Sequence, residues 1–175
     1  MANFIDEEMQ IADEQDQAPR TMSAETFELP LENIGLSAPL TLDISATIGE
    51  AVSLMQSKKI GSVLLTEKSK LKGIITERDI LLKVIGVIPD YQNICVSQIM
   101  TSDPISLRRG DMVAYVLNNM HVGGYRHVPI INDDGRPIGI ISIKDVVSFI
   151  LDYFPSEISN ILGEPYRGKQ SREGA

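Results

Sequence analysis

The sequence predicts an α+β fold made of two copies of one unit, each ordered strand-helix-strand-strand-helix and related by a pseudo-twofold axis. Three observations predict it. Residues 31–72 match residues 96–137 at one constant offset, and residues 73–85 match residues 139–151 one residue further on. A helical periodicity recurs with the repeat, and so do the apolar runs on either side of a turn. A unit of about 50 residues buries its own sheet poorly, so the two copies are expected to pack face to face.

The first helix of each unit is predicted by apolar residues at positions i, i+3, i+4 and i+7. These residues are Ile48, Ala51, Val52 and Met55 in the first unit and Val113, Val116, Leu117 and Met120 in the second. Thr47 and Glu50 predict a capping box at the start of the first helix. Gly110 and Asp111 occupy the comparable position before the second.

Each helix is followed by two apolar runs with polar turn residues between them, which predicts a β-hairpin. The runs are residues 62–66 and 73–76 in the first unit and residues 127–131 and 139–142 in the second. The Asp134-Gly135 pair is a strong hairpin signal. A last helix is predicted after each hairpin, with apolar residues Ile80, Leu81, Val84 and Ile85 in one copy and Val146, Val147, Ile150 and Leu151 in the other.

We divide the chain into an acidic extension (1–30), a first repeat (31–85), a connector (86–95), a second repeat (96–151) and a C-terminal segment (152–175). The acidic residues of the extension allow two interpretations: a solvated, poorly ordered tail, or an anionic arm that docks on a basic cleft. In the C-terminal segment, Ile158, Ile161 and Leu162 have helical spacing and predict a short helix.

Composition excludes several classes of function. Apolar residues make up 43% of the 175 residues, and the net charge is −8, which argues against binding nucleic acid or anionic membranes. The chain has neither an apolar run long enough to span a bilayer nor the order of a signal peptide. Cys95 is the single cysteine, so an intrachain disulfide is impossible and we expect a reducing, cytoplasmic location.

The two hairpins end in related motifs, Thr76-Glu77-Arg78-Asp79 and Ser142-Ile143-Lys144-Asp145. One interpretation is a capping box, in which the hydroxyl caps the helix and the acid reaches back to a backbone amide. Two details suggest more. Both copies use Asp, which is shorter than the usual Glu or Gln, and both place a cation beside it.

A second interpretation is a ribonucleotide site. A helix N-terminus offers free amides to an anion, and a hydroxyl with a nearby cation completes a seat for phosphate. A carboxylate there can accept hydrogen bonds from the vicinal hydroxyls of a ribose. The apolar strands would then form the walls around a base.

The repeat pair resembles a tandem of CBS domains, the arrangement called a Bateman module, over about residues 31–151. The resemblance is carried by the duplicated Gly-Ile-Ile-[Thr/Ser]-x-x-Asp ends and by the run Arg-His-Val-Pro-Ile-Ile at 126–131. It implies two clefts, in each of which the Asp holds ribose and the Ser or Thr helps to bind phosphate. The first cleft would use Thr76, Arg78, Asp79, Ser106, Tyr125, Arg126 and His127. The second would use Thr41, Ile60, Gly61, Ser62, Ser142, Lys144 and Asp145.

The resemblance implies an adenine nucleotide or adenosyl compound as regulatory ligand: AMP, ADP, ATP, NAD(H) or S-adenosylmethionine. It also implies a homodimer formed through the helices. The first repeat departs from the family pattern, with Leu64 opposite Pro129 and with Gly61-Ser62 opposite Arg126-His127. The clefts are therefore not equivalent, and the one containing Arg126 and His127 is expected to bind phosphate better.

No other pattern predicts a different site. His121 and His127 are six residues apart and are poor joint metal ligands, so no metal site is predicted. Motifs of nucleotide hydrolases, serine hydrolases and zinc proteases are missing from the sequence. We therefore predict a regulatory binding module that signals to its own dimer or to a partner protein, and not an enzyme. The alternative is a structural or protein-interaction module in which the two Asp residues only cap helices.

Overall fold

The computed structural model describes residues 22–153, which form two β-sheets and four helices. The first sheet contains β1 (Thr41–Asp43), β2 (Ser62–Glu67), β3 (Lys70–Thr76) and β4 (Thr101–Ser102), in that order across the sheet. The second contains β5 (Leu107–Arg108), β6 (His127–Ile131) and β7 (Pro137–Ser142). In the first sheet β1 pairs with β2 in parallel, and β2 and β3 form an antiparallel hairpin. In the second sheet β5 pairs with β6 in parallel, and β6 and β7 form an antiparallel hairpin.

Helix α1 (Ile48–Lys58) and helix α3 (Val113–Gly123) are the equivalent first helices of the two units. Thr47 caps α1, with the Glu50 amide donating to Thr47 Oγ1 at 3.1 Å and the Thr47 amide donating to Glu50 Oε2 at 2.7 Å. The predicted capping box is therefore present. Helix α3 ends at Gly124, whose positive φ of 66° suits glycine.

The last helix of each unit differs between the copies. Helix α4 (Ile143–Leu151) is a regular α-helix. Helix α2 begins as one α-helical turn (Glu77–Asp79) and continues as a π-helical turn (Ile80–Val84). The Ile85 amide donates to the Ile80 carbonyl at 3.1 Å, which is the i to i−5 bond of a π-helix. The predicted element order is confirmed, and the π-turn is an addition to it.

The two repeats exchange their leading segments. The Leu31 amide donates to the Asp111 carbonyl at 2.8 Å, so the segment that begins the first repeat joins the second unit. The Val96 amide donates to the Ala46 carbonyl at 2.8 Å, so the segment that begins the second repeat joins the first unit. Strand β4 also pairs with β3 of the first unit, although it follows the connector.

Two hydrophobic cores result, and each contains residues from an exchanged segment. Leu31 and Ile34 lie in the core of the second unit with Val113, Val116, Met120, Val128, Ile130, Ile141, Val146 and Phe149. Val96 and Ile99 lie in the core of the first unit with Ile48, Ala51, Met55, Val63, Leu65, Ile75 and Val84.

The exchange also explains one glycine in each hairpin. A Cβ atom at Gly73 would lie 2.5 Å from Met100 Sδ, and one at Gly139 would lie 3.1 Å from Leu36 Cβ. In both units the absence of a side chain on this glycine lets the exchanged segment pass close to the second strand of the hairpin, β3 or β7.

Only residues 22–30 of the acidic extension belong to the part of the chain that the structure describes. There, a 3₁₀ turn (Ala24–Glu28) precedes the exchanged segment, and Phe27 and Leu29 pack against the core of the second unit. The stretch assigned to the extension thus includes residues that complete the fold. Its first 21 residues, and the predicted helix with Ile158, Ile161 and Leu162, lie outside the described residues. Between residues 22 and 153, no helix combines the length and apolar character needed to cross a bilayer.

Candidate ligand site at the two Asp motifs

The first motif forms a complete capping box at the start of α2. Asp79 Oδ2 accepts from the Thr76 amide at 2.9 Å and from Thr76 Oγ1 at 2.6 Å. The Asp79 amide donates back to Thr76 Oγ1 at 3.3 Å. Burial raises the pKa of Asp79, but hydrogen bonds from Lys83 and Thr76 outweigh this effect and hold the pKa below its ordinary value.

The second motif repeats that geometry at the start of α4. Asp145 Oδ2 accepts from the Ser142 amide and from Ser142 Oγ, both at 2.7 Å. The Asp145 amide donates to Ser142 Oγ at 3.4 Å. The shorter Asp therefore does reach back, and the capping interpretation is geometrically correct for both copies. In each copy the cap uses only Oδ2, which leaves Oδ1 for other partners.

Lys83 is a site residue that our sequence reasoning missed. Its Nζ lies 2.7 Å from Asp79 Oδ1 and donates to the Ile99 carbonyl at 2.8 Å. Lys83 stands four residues after Asp79, and this i, i+4 spacing on a helix was the available signal. Through Ile99, the contact joins the first motif to the segment exchanged from the second unit.

Strand pairing places predicted residues next to the motif of their own unit. Ser62 is the register partner of Thr76, and His127 is the register partner of Ser142. The Glu77 amide donates to the Gly61 carbonyl at 3.0 Å. Correspondingly, the Ile143 amide donates to the Arg126 carbonyl at 2.9 Å. The predicted sharing of these residues between opposite units remains a proposal.

Two contacts nevertheless cross between the units at the motifs. Arg126 Nη2 forms an ion pair with Glu77 Oε1 at 2.9 Å, and Arg78 Nη1 donates to the Gly124 carbonyl at 3.2 Å. These contacts bring the head of α2 together with the turn before β6. Arg78 and Arg126, two residues predicted for the first cleft, therefore lie at the same interface between the units.

Two recesses involve other predicted residues. One of about 400 Å³ is lined by Ile60 and Gly61 with Glu77, Ile80 and residues of α1. Ser106 lines a different recess of about 410 Å³, beside the two hairpin turns. Thr41 lies in β1 opposite Leu64. Ser106 and Thr41 thus have equivalent places at the first strand of each unit.

Tyr125 and His127 have perturbed surroundings. The Tyr125 hydroxyl is buried and has no hydrogen-bond partner among the described residues, and desolvation raises the pKa of Tyr125. A buried hydroxyl without a partner is costly, so this oxygen lacks a hydrogen bond that a water molecule or another polar group would have to supply. Burial, then Arg126, lowers the pKa of His127, whereas the negative charges of Glu77 and Asp145 act in the opposite direction. His127 thus lies within electrostatic range of both motifs.

Comparisons with known proteins agree with this architecture. The family model of the CBS domain matches residues 32–86 and 96–152. A CBS domain-containing protein of Arabidopsis thaliana is 30% identical over 129 residues, which cover 72% of this chain and 24% of that protein. The chain therefore spans about a quarter of the length of this curated relative.

Two solved structures are also similar. One is a CBS domain protein from Pyrobaculum aerophilum complexed with AMP, with 25% identity and a TM-score of 0.64, covering 73% of this chain and 100% of that one. The other is the CBS domain pair of protein MJ0100 in complex with 5′-methylthioadenosine and S-adenosyl-L-methionine, with 25% identity and a TM-score of 0.62, covering 69% and 98%. The resemblance seen in the sequence is confirmed: this chain belongs to the CBS-domain family and contains a tandem pair of CBS domains.

Proposed function

We propose that this CBS pair is a regulatory module that binds an adenine nucleotide or adenosyl compound at the two Asp motifs. The observation that carries the proposal is the duplicated carboxylate at a helix head, in which the cap uses Oδ2 and leaves Oδ1 outside the cap. Ribose hydroxyls donate to such a carboxylate, and the helix N-terminus with a neighbouring cation accepts phosphate. Similar CBS pairs in complex with AMP or with S-adenosylmethionine support this choice of ligand.

The proposed ligand contacts are those predicted from the sequence. Asp79 and Asp145 hold ribose hydroxyls, and Thr76 and Ser142 help to position phosphate. Arg78, Arg126 and Lys144 supply charge, His127 offers a ring N–H, and Tyr125 offers its unpartnered hydroxyl. Apolar strand residues near Ile60 enclose the base. The cross-unit contacts of Arg126 and Arg78 support a role for this interface, because a ligand there would alter how the units contact each other.

Regulation requires a response, and we propose that it is transmitted through a homodimer or to a partner protein. Helix α2, with the Ile85 that follows its last turn, and helix α4 expose apolar side chains at equivalent positions, Leu81 with Val147 and Ile85 with Leu151. Leu81 is 64% exposed and its neighbour Leu82 is 67% exposed. Two stripes related by a pseudo-twofold axis suit a second copy of the chain across a true twofold axis.

Light scattering after size-exclusion chromatography tests the dimer. Leu81→Glu combined with Val147→Glu should convert a dimer into a monomer, because it places charges in the apolar contact. Val122→Glu is the matched control, since Val122 is 76% exposed on another helix. A wild-type chain that is monomeric at all concentrations would refute the proposed dimer.

The ligand proposal is tested by thermal shift and calorimetric titration with AMP, ADP, ATP, NAD(H) and S-adenosylmethionine. A ligand that binds only the folded chain stabilises it by about 2.7 kcal/mol at a hundredfold excess over Kd. The shift should disappear in the double variant Asp79→Asn with Asp145→Asn. Asp90→Asn, a matched change in an exposed loop residue, should retain it. No shift with any of these compounds would refute the proposal.

A second function is favoured by one observation, the completeness of both capping boxes. In this alternative the chain is a structural or protein-interaction CBS pair, and its Asp residues only stabilise helix starts. The double Asn variant would then lose stability while the wild type and the variant alike fail to respond to ligand. We propose no catalytic role, and nucleotide turnover by the purified chain would contradict us.

A further inference from the structure

The two Asp carboxylates differ in how many hydrogen bonds they can still accept. A carboxylate has about four acceptor sites, two on each oxygen. In both motifs the cap fills both sites on Oδ2. At Asp79, Lys83 takes one of the two remaining sites on Oδ1. At Asp145, no side chain within residues 22–153 takes either of them.

The difference follows from one position of the repeat. The residue equivalent to Lys83 is Phe149, which is buried in the core of the second unit and packs edge-on against Tyr153 with a centroid distance of 5.2 Å. A phenyl ring cannot donate to the carboxylate, so Asp145 has no built-in cation of this kind. The Lys83 ammonium group has two partners, because it also donates to the Ile99 carbonyl.

A vicinal diol donates two hydrogen bonds. Asp145 Oδ1 can accept both without any rearrangement, whereas Asp79 Oδ1 can accept both only if Lys83 withdraws. Withdrawal would give up the ion pair with Asp79 and leave the Ile99 carbonyl without that donor. A ligand that binds at Asp79 must therefore compete with an intramolecular cation.

We infer that Lys83 is a specificity-determining residue that closes the Asp79 carboxylate to a ribose diol, so that Asp145 binds the first adenosyl ligand. This inference rests on the proposed function and reverses the order expected from the sequence, which favoured the cleft with Arg126 and His127. The other cations agree with it. Arg78 and Arg126 are already engaged by the Gly124 carbonyl and by Glu77, whereas Lys144 has no such contact within the described residues.

Calorimetric titration of the full chain with AMP tests the inference. Asp145→Asn should weaken the tighter binding event by about tenfold or more, and Asp79→Asn should change it little, since one charged hydrogen bond corresponds to roughly that factor. Lys83→Met should tighten the weaker event by about tenfold, because it frees Oδ1 of Asp79. Lys83→Arg should keep the wild-type difference between the two binding events, since a guanidinium can also donate to the carboxylate.

Two controls separate the diol from charge alone. Lys58→Met removes an equal charge from the exposed end of α1 and should leave both binding events unchanged. Titration with 2′-deoxy-AMP should abolish the advantage that Lys83→Met provides, because one hydroxyl of the diol is missing. If Lys83→Met folds poorly, Lys83→Ala at half-exposed position 83 serves the same purpose, because its side chain cannot donate a hydrogen bond to Asp79 Oδ1.

The outcomes distinguish the inference from the function on which it rests. Binding of AMP that is unaffected by Lys83→Met, or that loses its tighter event in Asp79→Asn alone, would overturn the inference and leave the function standing. Failure of the wild type and of every variant to bind AMP or any of the other adenosyl compounds would overturn both.

Discussion

Leu31 provides a direct test of the exchange between the two units. Its side chain is fully buried in the core of the second unit, although the residue begins the first sequence repeat. Leu31→Ala removes three carbon atoms from a packed core and leaves a cavity. We expect the free energy of unfolding to fall by about 2–5 kcal/mol, the range for fully buried leucines. Urea denaturation followed by circular dichroism, at one fixed protein concentration, measures the loss.

The size of the loss does not reveal which core Leu31 occupies, but a double-mutant cycle does. Val113 lies in the second core, where its amide donates to the Leu29 carbonyl at 2.9 Å, two residues before Leu31. Ile48 holds the equivalent position in the first core. Leu31→Ala and Val113→Ala should couple by at least about 0.5 kcal/mol, because they enlarge neighbouring space. Leu31→Ala and Ile48→Ala should be additive within about 0.5 kcal/mol.

The reverse pattern would refute the exchanged arrangement. Coupling of Leu31 to Ile48, with additivity toward Val113, would mean that each sequence repeat folds around its own leading segment. A loss below about 1 kcal/mol for Leu31→Ala would show that this leucine is not packed as the structure has it.

Three further predictions concern the motifs and the crossing points. Because the folded-state pKa of His127 lies below its ordinary 6.5, the unfolded chain binds the proton more readily, and the free energy of unfolding should fall as pH drops below about 6.5. The urea unfolding midpoint of the His127→Gln variant should lack this decrease. Gly73→Ala should lower the free energy of unfolding by about 1–3 kcal/mol because its Cβ would meet Met100, and adding Met100→Ala should reduce this loss. Gly110→Ala, at a site with open space, should change the free energy of unfolding by less than about 0.5 kcal/mol in the same denaturation assay. Thr76→Ala should lower the thermal unfolding midpoint, at a cost of about 0.5–2 kcal/mol, because it removes the cap of α2; an unchanged midpoint would contradict the capping geometry.

The amino-acid sequence by itself determined the elements of each unit and their order. Apolar residues at helical spacing, such as Ile48 with Ala51 and Met55, specify a helix locally, and Asp134-Gly135 specifies a turn. The duplicated hydroxyl-x-x-Asp motif was visible for the same reason, because a cap involves residues only three positions apart. The contact between Lys83 and Asp79 belongs to this local class too, and its spacing could have predicted it.

Tertiary structure alone decided which segment completes which core and which residues meet across the units. Leu31 and Val96 are apolar in either arrangement, so their pattern predicts burial without naming the sheet that buries them. The ion pair of Glu77 with Arg126 joins residues 49 positions apart, a distance at which no local periodicity relates them. Local propensities depend on neighbouring residues along the chain, whereas the choice between two nearly equivalent partners depends on the free energy of the whole packed pair.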